Sequence, residues 1–265
     1  MSEPSQDPRA SMHERDRADW TVADPASHDR TVRGMFDRIA GVYDFMNHFL
    51  SFNRDKAWRR ALAAKLDRDT WELLDLCAGT GDLGLEALKT GACREVIAAD
   101  FTHAMLVAGA RKGLGRDGGV PAVTADAQAL PLRNACVDAV VVGFGIRNIA
   151  DLQRGVSEAR RVLRNGGQFY ALEFFRDDHE AQGEAHGPAG PVRWFLNTAL
   201  PLFGRLVGRD GSAYGYLAVS MQRFLTPSEY AELLRASGFE DVTIERMTFG
   251  IAHVVGGRLG DIGED

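Results

Sequence analysis

From Trp71 to Asp100 the chain reads WELLDLCAGTGDLGLEALKTGACREVIAAD. An apolar run of strand length enters a glycine-rich turn, continues as a helix-like stretch and returns to a second apolar run. The alternation persists: VPAVTAD, VDAVVVGF and QFYALEFF are three more strand-length runs, with HAMLVAGARKG and LQRGVSEARRVL among the stretches between them. Such alternation builds a parallel sheet through βαβ crossovers. The last part, EDVTIERMTFGIAHVVGG, reads instead as a hairpin that turns at Phe249 and Gly250. A dehydrogenase core would more often continue with parallel units.

The turn itself, GTGDLG from Gly79 to Gly84, satisfies G-x-G-x-x-G, and Asp100 stands near the position where that pattern places an acidic residue. Gly79 and Gly81 let the backbone turn sharply out of the strand and approach a ligand, while a helix starting near Asp82 offers free N–H groups. A carboxylate at 100 can take both hydroxyls of a ribose, although Asp100 read alone serves nearly as well as a cap for the next turn. A pyrophosphate at the helix start would be repelled by Asp82, which disfavours NAD. S-adenosylmethionine brings an amino acid and a sulfonium cation, which Asp75 and Asp82 can tolerate. Asp126, in ADAQALPL after the third strand, can accept from an adenine amino group or be an ordinary turn acid.

With 265 residues, 45% of them hydrophobic, the chain suits one large domain. A net charge of −6 argues against a broad nucleic-acid-binding surface. Three cysteines without a C-x-x-C pair fit neither a disulfide scaffold nor a zinc site and point to a reducing cytoplasm. Residues 1–30 lack apolar periodicity and read as a disordered tail, with Trp20 its one large apolar side chain. They carry no secretory core, and their acidic residues argue against a mitochondrial presequence. No apolar run reaches the roughly 18 residues of a membrane span. Before the first strand, Met35, Phe36, Ile39 and Val42, then Phe45, Met46, Phe49 and Leu50, recur at helical spacing. The boundaries expected are a tail over 1–30, one domain over 31–258 with these helices as an N-terminal cap, and a short tail over 259–265.

DLCAGTGD, AADFTHAML, ADAQALPL, GFGIRNI, LRNGGQFYALEF, SAYGYLAVSMQRF and TFGIAHVVGG together resemble the class I S-adenosylmethionine-dependent methyltransferases. With MFDRIAGVYDFMNHFLSF they are more narrowly similar to the ubiquinone/menaquinone C-methyltransferase family, from Val32 to Gly257. The resemblance implies an α/β, Rossmann-like sheet of seven strands in the order 3-2-1-4-5-7-6, strand 7 antiparallel, with helices on both faces. It implies cofactor contacts at Gly79, Thr80, Gly81, Asp100, Asp126, Ala127 and Gly143. The departures are SFN for SFG or SLG, a missing proline after strand five, and a longer loop there.

The chemistry implied is C-methylation of a polyprenylated hydroquinone: demethylmenaquinol, which YDFMNHFLSF favours, or the ubiquinone precursor. Carbon becomes nucleophilic when the neighbouring hydroxyl loses its proton, and the Arg147 guanidinium is the candidate to stabilise that oxyanion. A salt bridge at a strand end is the alternative for Arg147. Asn148, Tyr43, Asp44 and His48 are candidates to hold the ring or relay the proton, and no metal is needed. The expected partners are the quinol, a second copy of the chain in a homodimer, and the inner face of the membrane, touched by PVRWFLNTALPLFGRLVG; that segment serves equally as a lid.

Overall fold

The computed structural model describes residues 25–41, 43–176, 220 and 223–260, with backbone alone at 25–29, 45, 46, 49 and 50. The stretch 1–24 with Trp20, the loop after strand five and the segment 191–208 lie outside the described residues.

Three helices, α1 (Pro25–Ile39), α2 (Tyr43–Leu50) and α3 (Arg54–Ala63), precede β1 (Glu72–Leu76). The order continues α4 (Asp82–Thr90), β2 (Glu95–Asp100), α5 (His103–Gly109), β3 (Ala122–Thr124), β4 (Val137–Gly143), α6 (Leu152–Val162) and β5 (Leu163–Glu173). Towards the C-terminus come α7 (Pro227–Ala236), β6 (Phe239–Met247) and β7 (Ala252–Leu259). Helix α1 begins inside the stretch read as a tail, and β7 ends one residue past the expected domain boundary.

The sheet has seven strands in the order β3-β2-β1-β4-β5-β7-β6. Strands β1 to β5 pair in parallel, and β7 runs antiparallel to both β5 and β6. The order reverses between β1 and β4, which opens a crevice beyond the carboxyl ends of those strands.

Alternation within the central strands splits the core into two layers. Leu74, Val140, Val142 and Phe169 face one way, under α6 and α7. Leu73, Ala139, Val141 and Leu172 face the other, under Trp58 and Leu62 of α3 and Leu83 and Ala87 of α4. A strand covered on both faces needs no polar positions, which is why β4 is apolar throughout from Ala139 to Gly143. Strand β6 is the sheet edge, and exposed Glu240, Asp241, Glu245 and Arg246 mark it against pairing with another chain. The hairpin turn lies at Thr248–Gly250, all three residues at positive φ. Helix α7 starts with a capping box: the Glu229 N–H donates to Thr226 Oγ1 (3.2 Å) and the Thr226 N–H to Glu229 Oε2 (2.7 Å).

Candidate active site

Two chain segments leave the sheet side by side at the crevice, from β1 and β4. Cys77 (φ 55°) and Phe144 (φ 60°), the residues that follow these strands, are both in the left-handed region, an uncommon and costly conformation for non-glycine residues that recurs at functional sites. Gly145 is forced by their closeness, since a Cβ there would lie 2.3 Å from that of Cys77. Gly84 has the same reason one layer down: its Cβ would meet Val96 at 2.7 Å, so only glycine lets α4 lie this close to the sheet. Beneath that helix, Asp75 Oδ2 accepts the Gly84 N–H at 2.8 Å. Burial, opposed by that bond, pushes the Asp75 carboxyl up to about 7.

A cleft opens at the switch point. Gly79, Asp100, Asp126, Ala127 and Asn148 line it from the strand ends, and Val32, Phe36 and Tyr43 close it from α1 and α2. Asp100 Oδ2 accepts from the Gly79 N–H (2.8 Å) and Oδ1 from the Thr102 N–H (2.7 Å), so the carboxylate is aimed from two sides. Burial raises its pKa, and these two bonds oppose the rise. Asp126 Oδ1 takes the Gln128 N–H at 2.8 Å and its side-chain amide at 3.0 Å. Gly79 leaves a cradle in the cleft that a Cβ would fill, 3.3 Å from Met105 and 3.7 Å from Tyr43. A diol-accepting carboxylate, a turn acid and a side-chain-free floor fit a nucleoside such as that of S-adenosylmethionine.

Three expected cofactor residues sit elsewhere. Gly143 ends β4 against Leu83, and Gly81 is the N-cap of α4, packed on Leu114. Thr80 is buried, and its hydroxyl donates to Asp44 Oδ1 at 2.5 Å. The Lys112 ammonium ties this cluster together, reaching Asp44 and Thr80 at 2.8 Å each and Asp82 at 2.5 Å. Burial alone would raise the Asp44 carboxyl; hydrogen bonds from Lys112 and Thr80 outweigh it and hold the group below the ordinary aspartate value. Arg59 stands 3.6 Å from the other Asp82 oxygen. Asp82 is therefore a neutralised group, and the repulsion argument against a pyrophosphate does not hold. The charges that offset Asp82 are folded onto the loop from α3 and from the residues after α5.

Arg147 is buried in a short turn after β4, where its guanidinium pairs with Glu173 at the end of β5. Its charge also lies 5.8 Å over the Phe174 ring, which packs with Phe144 at 4.6 Å and Trp58 at 6.1 Å. The Trp58 indole N–H donates to Thr248 at 2.8 Å, fastening the β6–β7 turn to α3. Tyr43 is next to the cleft, and burial raises its hydroxyl pKa. His48 is directed to Asp55 at 2.7 Å, within a group that includes Ser51 and Arg59.

Lys112, Arg59 and Glu173 were not singled out from the sequence. Glu173 had a signal, because a lone carboxylate inside the apolar run QFYALEFF must find a partner when the run is buried. Lys112 had none, being one cation among many at a helix end.

A glycine-floored cleft at the switch point of a 3-2-1-4-5-7-6 sheet, with an acid at the end of β2, defines a class I S-adenosylmethionine-dependent methyltransferase. A solved S-adenosylmethionine-dependent methyltransferase from Thermotoga maritima, described as a possible histamine N-methyltransferase, shares the fold. Its TM-score is 0.58 at 17% identity, over 85% of this chain and 99% of that one. The chain belongs to the ubiE/COQ5 methyltransferase family, whose model matches residues 25–257. It is 40% identical to the ubiquinone/menaquinone biosynthesis C-methyltransferase UbiE of Acidiphilium cryptum, over 85% of this chain and 89% of that one. It is 38% identical to the demethylmenaquinone methyltransferase of Thermus thermophilus, over 86% of this chain and 99% of the relative.

Proposed function

We propose that this protein methylates a ring carbon of a polyprenylated hydroquinone in quinone biosynthesis, converting demethylmenaquinol to menaquinol. Both relatives carry menaquinone or demethylmenaquinone in their names, and one adds ubiquinone. The observation that carries the reading is the Arg147 guanidinium, buried beside cleft-lining Asn148 and bonded to Glu173 through one nitrogen while its Nε has no hydrogen-bond partner among the described residues.

S-adenosylmethionine supplies an electrophilic methyl group on a sulfonium centre. Asp100 holds the ribose, Asp126 and Ala127 the adenine, and Gly79 provides the floor. Arg147 stabilises the oxyanion next to the reacting carbon, which ordinarily forms only near pH 10. Tyr43 stays protonated at neutral pH and donates to the ring or the nucleoside, while Asn148 orients the ring from the opposite wall. Asp44, committed to Lys112 and Thr80, holds α2 on the glycine loop and moves no proton. Holding both reactants in line can remove about 7 to 11 kcal/mol of the barrier.

No described helix is long and apolar enough to cross a membrane, and a quinol with a polyprenyl chain resides in one. A peripheral contact at the membrane surface is part of the reading, supported by Phe249 (84% exposed) on the β6–β7 turn and Phe52 (71%) just before α3. The test gives purified protein S-adenosylmethionine with a reduced short-chain demethylmenaquinol or with 2-polyprenyl-6-methoxy-1,4-benzoquinol, followed by mass spectrometry. A gain of one methyl on the first substrate is expected. Gain on the second alone moves the protein to the ubiquinone route, and gain on neither removes the reading.

A further inference from the structure

The Arg147–Glu173 pair is incompletely used. Glu173 is fully buried on β5, and its Oε1 accepts both the Arg147 guanidinium and the Phe174 N–H (2.8 Å). Among the described residues its Oε2 is buried with no hydrogen-bond partner, and so are Arg147 Nε and the Tyr230 hydroxyl. Folded proteins seldom leave such groups bare, because each costs about 1 to 3 kcal/mol. A bare acceptor and a bare donor on one ion pair have complementary needs, and a single hydroxyl group meets both by donating to Oε2 and accepting from Nε.

The geometry points to Glu173 as the residue that takes the hydroxyl proton of the quinol, with Arg147 keeping the oxyanion that is left. This rests on the reading of the previous subsection. The groups facing Glu173 are Arg147 after β4, Tyr230 on α7, Cys77 after β1 and His253, its register partner on β7. Cys77 lines the cleft, and the Glu173 charge is among the causes that raise its thiol, so the carboxylate sits within electrostatic reach of the cleft wall. Burial raises the Glu173 pKa itself, against the opposing pull of Arg147, which makes it a stronger base than a surface carboxylate.

The proton balance is complete. The quinol O–H bond breaks and an O–H bond forms on Oε2, which converts a Glu173 anion beside a neutral quinol into a neutral acid beside a quinolate. The adjacent ring carbon uses the quinolate electron pair to bond the methyl carbon, and the pair of the departing S–CH3 bond stays on sulfur. The methylated carbon then loses its hydrogen to water as a proton, its C–H electrons restore the aromatic ring, and the Glu173 proton returns to the oxygen. One proton leaves per turnover, and neither oxidant nor reductant is consumed.

The experiment measures kcat/KM for the short-chain quinol against pH in wild type and Glu173→Gln. It is paired with infrared difference spectra of the free enzymes, in which the carboxyl stretch present only in wild type reports the titration of Glu173. For wild type, kcat/KM should rise with pH and level off where that stretch disappears, since this parameter reports groups of the free enzyme. In Glu173→Gln the rise should move alkaline, with turnover at neutral pH down by about tenfold or more and recovery at high pH. A uniform loss at every pH, with the rise unmoved, would make Glu173 a structural partner of Arg147 and overturn the proposal. A wild-type midpoint more than about one pH unit from the carboxyl titration overturns it too, and this arm uses the variant only to assign the stretch, not its activity. Absence of any wild-type methylation, with S-adenosylhomocysteine still bound, instead removes the quinol reading on which the proposal stands.

Discussion

Asp75 offers a sharp test of how the glycine loop is supported. Its carboxyl is 1% exposed, takes one bond from Gly84, leaves Oδ1 without a partner among the described residues and is pushed up to about 7 from 3.8. Between those values the folded protein holds a proton that the unfolded chain has released, so stability falls as pH rises through that window and is lowest above it. Three pH units at about 1.4 kcal/mol each make the full effect about 4 kcal/mol, of which about 2.5 kcal/mol develops between pH 5 and 8. Asp75→Asn keeps an acceptor for the Gly84 N–H and cannot ionise. Denaturant unfolding of both proteins at pH 5 and pH 8 removes every other titrating group from the comparison. The variant should gain about 2.5 kcal/mol on wild type between the two pH values, whatever offset the new amide introduces at pH 5. A difference between variant and wild type that is flat with pH would mean that Asp75 is ionised in the folded protein and that Arg59, among the charges that reach it, governs the site instead of burial.

Asp100→Ala removes the carboxylate that both the Gly79 and Thr102 N–H groups aim into the cleft, and calorimetry should show S-adenosylhomocysteine bound about 10- to 100-fold more weakly. Arg147→Ala strands the Glu173 charge and should cost about 3 to 5 kcal/mol in unfolding experiments, with the double variant Arg147→Ala/Glu173→Gln recovering part of the loss. Recovery absent from the double variant would show that the pair's charge is not the source. Thr226→Ala removes half of the α7 capping box and should lower stability by about 1 kcal/mol without changing cofactor affinity.

The fold was legible because its signals are local. Each parallel strand is an apolar run between breakers, and the change to a closing hairpin shows in TFGIAHV, where the structure turns. Gly79, Asp100 and Asp126 were legible for the same reason: each terminates or follows a strand, and a strand end at a switch point faces the cleft. Ionic partnerships were not legible. Lys112 and Asp82 are 30 residues apart, Arg147 and Glu173 are 26 apart, and periodicity carries no information about which charges meet across such distances. Asp82 reads in sequence as a lone anion beside the loop, and in the fold it is shared between Lys112 and Arg59. Without Arg147, Glu173 would be an uncompensated buried carboxylate, a dependence that neither residue's sequence position announces.

These partnerships also explain how acidic residues can crowd a ligand loop. Asp44 and Asp82 converge on Lys112, and Asp82 has Arg59 on its other side. Asp75 answers differently, with no cation in direct contact among the described residues and its carboxyl pushed up to about 7 by burial. The first arrangement does mechanical work as well. Asp44 belongs to α2, Thr80 to the glycine loop and Lys112 to the turn after α5, so one ammonium binds the N-terminal helices to the cleft they cover. Tyr43, the neighbour of Asp44, is thereby placed over Gly79, where it lines the cleft. A carboxylate pair that would repel a ligand in isolation becomes, once shared with a lysine, the clasp that seats a tyrosine in the ligand site.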